Sequence, residues 1–180
     1  IILCILFYNN LNRELYTNVP SPYFFDKCYI INLPETKIGS NRWNRIKNIH
    51  PFSEKGERFN GIYGKTYNYT NELKLNIIKK KWDYGKWKTR GKQSQIINMS
   101  DSEIGVALSH YNIWNYMIKK NIQSILVVED DATRIAPNFM EKCNYIMKKV
   151  PDNWDIILFG FWCHMGNDGT KINDDVWKVN

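Results

Sequence analysis

Cysteine is scarce, long apolar runs are absent, and acids are outnumbered; each shortage narrows what the chain can be. The four cysteines, Cys4, Cys28, Cys143 and Cys163, stand far apart with no C-x-x-C pair, so a zinc site is not suggested. Disulfides are not indicated either, because 180 residues with 43% apolar content can bury a core unaided. The apolar stretch Ile1 to Phe7 is far shorter than the roughly 20 residues of a spanning helix. Because the chain does not begin with methionine, that stretch could be the end of a signal or anchor. Residues 1–26 are therefore set apart from a domain at 27–180, and membrane association through a preceding segment is the matching expectation. No repeat or linker divides the rest.

Asp and Glu number 18 against 25 Lys and Arg, a net charge of +7, which invites a nucleic-acid reading. Yet Ile, Lys and Asn make up 64 of the 180 residues, a bias that AT-rich coding produces unaided. A basic nucleic-acid-binding module is thus the weaker alternative, and no nucleic-acid partner is expected. Residues 65–92 hold nine Lys or Arg against two acids, a segment that could attract an anion or form a solvated loop. The sequons at Asn68 and Asn98 would fit a secretory route; the compartment stays open between that route and the cytoplasmic face of a membrane.

Against so few acids, Ser124 to Asp131 stands out: four apolar residues, Ile125 to Val128, stop at Glu129-Asp130-Asp131. A strand without polar alternation is covered on both faces, as in a parallel sheet flanked by helices. Ligands of open α/β sheets bind beyond the strands' carboxyl ends. Three adjacent carboxylates there repel one another unless a cation or hydrogen bonds hold them. Mg²⁺ or Mn²⁺, which takes one or two carboxylates and completes its shell with water and phosphate, is the simplest such cation.

Earlier in the chain, Cys28 to Leu33, ended by Pro34, reads as the first sheet strand. Ser40 can cap a helix bearing Arg42 and Arg45 three residues apart, which could meet a diphosphate. Arg58 to Tyr67 suggests a short strand and turn, and Asn71 to Gln95 a helix and a loop broken at Gly85 and Gly91. Ser100 to Glu103 matches the capping box. It opens a helix whose predicted buried face is Ile104, Ala107, Leu108, Tyr111, Trp114 and Ile118. Glu103, His110, Trp114 and Met117 form a neighbouring stripe, so Glu103 and His110 can look into one space. Asn121 ends that helix, Pro137 to Val150 reads as another, and Trp154 to Gly160 as a further buried strand. The tail from Trp162 carries His164, Asp168, Asp174 and Asp175 without a clear element.

The strand ending in Glu129-Asp130-Asp131 resembles the opening strand of two-component receiver domains, but the later strand here ends in Phe159-Gly160, with no phosphoacceptor aspartate. A longer resemblance is to family 25 glycosyltransferases, the lipopolysaccharide-biosynthesis and procollagen galactosyltransferase group. Ile31-Asn32-Leu33 with Arg42 and Arg45 is similar to its opening block. Ser102 to His110 with Trp114 resembles its G-E-I-G-C-x-x-S-H-x-x-x-W segment, with Val106 in place of the cysteine. Glu129-Asp130-Asp131 follows at the family spacing, and Trp154 to Gly160 looks like its W-D strand.

The resemblance implies a GT-A-like three-layer α/β/α sandwich with a mostly parallel sheet, a UDP-sugar donor, and Mn²⁺ or Mg²⁺ at the acidic motif. It implies transfer of a sugar, galactose among the candidates, to a glycan or protein hydroxyl. Glu129 and Asp131 are the expected metal ligands, while Asp130 braces the site or meets the ribose. Asn32, Arg42 and Arg45 belong to the donor site. Glu103, with His110 beside it, is the candidate base, and Asp155 and the tail acids are weaker ones. The family continues into an H-A-Y segment beyond the last residue of this chain, so an inactive sugar-nucleotide-binding remnant is the competing reading.

Overall fold

The computed structural model describes residues 4–8, 23–49, 52–83, 96–132, 135–159 and 169–179. Gly85, Gly91, Gly160, His164 and Asp168 lie outside them. In chain order the elements are β1 (Cys4–Tyr8), β2 (Lys27–Asn32), α1 (Lys37–Ile46), α2 (Phe52–Lys55), β3 (Gly56–Asn60), α3 (Thr70–Lys74), β4 (Lys81–Asp83), β5 (Ile96–Asn98), α4 (Asp101–Lys119), β6 (Ser124–Glu129), α5 (Phe139–Met147), β7 (Ile156–Leu158), β8 (Gly169–Lys171) and β9 (Trp177–Val179). They fall into two units, one of residues 1–59 and 116–180, the other of residues 60–115.

The first unit holds a five-stranded sheet in the order β3-β2-β6-β1-β7. β2 and β6 pair in parallel, with Ile31 opposite Glu129. β1 lies antiparallel to both β6 and β7, so β2, β6 and β7 share one direction. This is an α/β arrangement with three like-directed strands. The amino ends of β2 and β6 are clamped: Asp26 Oδ2 accepts from the Ser124 amide at 2.9 Å and from its hydroxyl at 3.0 Å. That clamp holds the register that governs everything at the other end of the strands.

Ile125, Leu126, Val127 and Val128 are each 0% exposed, as an unalternated apolar strand requires. On one face Cys28, Ile30, Leu126 and Val128 pack with Ile46 of α1 and Phe52 of α2, and Phe139, Met140 and Met147 of α5 lie against them. On the other, the Tyr29 ring meets Phe59 at 5.7 Å and Tyr116 at 5.8 Å. Burial, then a hydrogen bond with Tyr116, raises the Tyr29 phenol above the usual tyrosine value. The Cys28 and Cys143 side chains are buried.

Four expectations change. The strand read as the first of the sheet, at Lys27–Asn32, is the second, because the sheet takes Cys4–Tyr8 between β6 and β7. The strand near Trp154 is at the sheet's edge, with Ile156 53% and Leu158 39% exposed; an edge strand lacks the second neighbour that would bury it. The helix bearing Arg42 starts from Thr36, whose Oγ1 accepts from the Gly39 amide at 2.9 Å, not from Ser40. The tail forms a β8–β9 hairpin, tied back where Lys149 pairs with Asp175 and Asn173 Nδ2 donates to the Lys149 carbonyl at 3.0 Å.

In the second unit, β4 and β5 form a two-stranded ladder, and Ile78, Ile104 and Leu108 make a core with Ile62, Leu73 and Met99 around it. Helix α4 starts as predicted, with Ser100 and Glu103 in a reciprocal cap, and Asn121, at φ 52, ends it. Its buried row continues through Ile113 and Met117, at 0% and 4% exposure, whereas Trp114 and Ile118 are 38% and 57% exposed. Two apolar rows lie about 100° apart on this helix, and periodicity cannot choose between them. Ile113→Ala should therefore cost about 2 to 5 kcal/mol and Ile118→Ala about 1 kcal/mol or less, measured by denaturant unfolding. The reverse order would restore the row read from the sequence.

Candidate active site

The parallel register that sets Ile31 opposite Glu129 brings the residues that follow them, Asn32 and Asp130, together at the carboxyl ends of β2 and β6. Asn32 is 1% exposed and Asp130 7%, and Asn32 Nδ2 donates to Asp130 Oδ2 at 2.6 Å. The same nitrogen donates to the Gly39 carbonyl at 2.7 Å, tying the first turn of α1 to the acidic strand end. Gly39 must be glycine: an added Cβ would stand 1.9 Å from the Leu33 carbonyl oxygen.

So anchored, α1 delivers Arg42. Its Nη1 donates to Asp130 Oδ1 at 3.1 Å, and its Nη2 lies 3.6 Å from Asp131 Oδ2. Arg58 stacks over the Trp43 ring at 4.7 Å and further holds the helix. Arg45, in the helix's last turn, is exposed and pairs with none of these acids.

Strand β6 ends at Glu129, and the Ala132 amide donates to the Glu129 carbonyl at 3.0 Å, so Asp130 and Asp131 are turn residues. The alternation used to separate Asp130 from its neighbours therefore does not apply beyond the strand. Asp130 is distinguished by its partners instead: both its oxygens are engaged. Burial raises its pKa above the ordinary aspartate value despite the Asn32 and Arg42 hydrogen bonds, which favour the carboxylate. Asp131 Oδ1 and Asn32 Oδ1, by contrast, are buried acceptor atoms without a hydrogen bond. Such atoms are costly unless a donor or cation meets them. Glu129 is half-buried at the last strand position.

These residues fit a hard divalent ion that takes few protein ligands. Asp131 has a free carboxylate oxygen, Glu129 lies two residues away, and Asn32 adds a carbonyl oxygen to the same strand ends. No group of three His, Cys, Asp or Glu among the described residues could cage a metal, so water and phosphate would complete the shell.

Glu103 and His110 belong to the second unit. The Glu103 carboxylate accepts from the Ser100 amide at 2.7 Å and hydroxyl at 2.8 Å, and these bonds hold its pKa below the usual glutamate range. His110 is 7% exposed, its ring 6.5 Å from that of Trp114. One end of the shared stripe is thus a solvated cap and the other is buried. Glu103→Ala should lower stability by about 0.5 to 2 kcal/mol, while Glu103→Gln, which keeps an acceptor, should lose less. A carboxylate with a depressed pKa stabilises the fold above its unfolded value and loses that contribution as pH falls through the folded one. The wild-type advantage over Glu103→Gln should therefore vanish on acidification below about pH 4, as a thermal-melt series would show. Asp155 is exposed just before β7.

The profile of Glycosyltransferase family 25 (LPS biosynthesis protein) matches residues 25–170, a span that takes in both strand ends and helix α4. The chain belongs to glycosyltransferase family 25. It is 29% identical to Procollagen galactosyltransferase 1-A of Xenopus laevis over 149 residues, covering 79% of this chain and 22% of that protein. A Glycosyltransferase 25 family member of Anopheles gambiae is 42% identical over 64 residues, 34% of this chain and 11% of the relative. Probable inactive glycosyltransferase 25 family member 3 of Rattus norvegicus is 24% identical over 146 residues, 78% and 23%. The chain thus spans less than a quarter of the length of these relatives. No solved structure matches it significantly.

Parts of this family-25 chain that carried the resemblance have packing roles. Gly105 and Gly64 let backbones touch: a Cβ on Gly64 would stand 1.7 Å from the Asp101 carbonyl oxygen, and one on Gly105 2.5 Å from that of Ile62. Ser109, 2% exposed, accepts from the Ile62 amide at 2.8 Å and donates to the Gly105 carbonyl at 2.7 Å. Thr36 and Gly39 escaped the sequence reading; the available signal was a capping threonine three residues before a glycine, just after a strand-ending proline.

Proposed function

We propose that this chain is part of a glycosyltransferase moving a sugar, galactose among the candidates, from a UDP-sugar to an acceptor hydroxyl on a glycan or protein. The observation that supports this reading best is the acidic turn Asp130-Asp131, held by Asn32 and Arg42 beyond two parallel strand ends with two acceptor oxygens left over, in a chain of this family. Glu129 and Asp131 would hold a divalent ion, Mn²⁺ or Mg²⁺. Such an ion, when bound, supplies charge neutralisation for a diphosphate leaving group.

In this reading Asp130, with both oxygens engaged, braces the site. Asn32 keeps the two strand ends and α1 in one geometry. Arg42 offers its guanidinium to phosphate oxygens, and Arg45, one turn further, is a weaker donor-site candidate. Neither Glu103, committed to its cap, nor His110 is assigned the proton transfer.

Calorimetry with UDP tests the reading: binding should be about tenfold or more tighter with Mn²⁺ than with EDTA. Equal affinity in both would refute the metal-linked donor site. The relative named probably inactive favours a second reading, a binding remnant. It would show metal-linked UDP binding with neither transfer nor hydrolysis of any UDP-sugar by the chain extended to the length of its relatives.

A further inference from the structure

Resting on the metal reading above, we infer that Arg42 is the built-in counter-cation of the acidic turn, and that it and a divalent ion compete for Asp131. Its two contacts are unequal. The Nη1 bond to Asp130 is 3.1 Å long, on a carboxylate whose side chain is 10% exposed and whose other oxygen is held by Asn32. The Nη2 contact to Asp131 is 3.6 Å, beyond a good hydrogen bond and so a charge contact only.

The weaker arm therefore rests on the carboxylate with capacity to spare, since Asp131 Oδ1 has no hydrogen bond. An ion drawn to that oxygen removes the reason for the 3.6 Å contact and repels the guanidinium as well. Arg42 is 40% exposed and can leave while its helix stays. Thr36, the Asn32–Gly39 bond and Arg58 on Trp43 hold α1 without using the Arg42 side chain. Once displaced, the guanidinium is available to the anion that the ion brings with it. Arg42 thus screens the acids when no ion is bound and serves the diphosphate when one is.

This exchange predicts opposite effects of one substitution on two ligands. Mn²⁺ titrations without nucleotide, read by the EPR signal of free Mn²⁺, are made on wild type, Arg42→Gln, Arg42→Lys and Asp131→Asn. UDP titrations follow at saturating Mn²⁺. Arg42→Gln should bind Mn²⁺ about threefold to tenfold tighter and UDP about tenfold more weakly, while Arg42→Lys stays within about twofold of wild type for the ion. Arg42→Gln should also melt below wild type without metal, with the gap narrowing as Mn²⁺ is added. Unchanged or weaker Mn²⁺ binding in Arg42→Gln, with Asp131→Asn still losing it, would overturn the exchange and leave the metal reading standing. Absence of Mn²⁺ binding in both wild type and Arg42→Gln would overturn both.

Discussion

Asp131→Asn should remove most of the metal dependence of UDP binding and, where transfer can be assayed, lower it by about two orders of magnitude or more. Asparagine keeps the shape of the side chain but gives up the anionic oxygen. The Asp131 side chain is 37% exposed and contacts Arg42 only at 3.6 Å, so the fold should survive, with stability within about 1 kcal/mol of wild type. Removing a like charge beside Asp130 further offsets the lost contact. A folded variant whose UDP affinity still responds fully to Mn²⁺ would place the ligand on another residue. The same measurement on Asp130→Asn should show mainly a stability loss, because that carboxylate is engaged by Asn32 and Arg42.

Asn32→Asp should be the most destabilising isosteric change at the site, costing about 3 to 5 kcal/mol at neutral pH. The Nδ2 donors that serve Gly39 at 2.7 Å and Asp130 at 2.6 Å would become an acceptor facing a second carboxylate. Neither residue is more than 7% exposed, so water cannot relieve the repulsion. One carboxyl would then hold a proton across the contact, raising its pKa above the ordinary aspartate value. Stability from a raised pKa is present at acid pH and lost as pH rises through the folded value, so urea unfolding should show the variant recovering part of its loss as pH falls toward about 4. A variant as stable as wild type at pH 7 would mean that the amide does not hold the strand ends.

Much of the fold was legible because its signals are local. The unalternated run Ile125–Val128 announced a strand covered on both faces, and Ser100 with Glu103 announced the start of α4; the backbone within a few residues decides both. The carboxylates beyond the strand were legible for the same reason. Local patterns failed where two local solutions were close in free energy. Rows one residue apart on α4 are both apolar, and Thr36 and Ser40 are both competent caps, so periodicity and residue type alone do not choose between them.

The individual roles at the site were beyond local pattern. Glu129, Asp130 and Asp131 are three consecutive acids to a reader of the sequence, and strand alternation was the only means of sorting them. The turn at Glu129–Ala132 ends that alternation. Asn32 and Asp130 are 98 residues apart and meet only because the β2–β6 register aligns them, a register clamped at the far end by Asp26 and Ser124. The sequence by itself determined that a buried strand would end in carboxylates and that a basic helix would follow an earlier strand. Only the tertiary structure decided which carboxylate is held by amide and guanidinium and which keeps an oxygen without a hydrogen bond, because hydrogen-bond saturation depends on neighbours that chain order does not bring together.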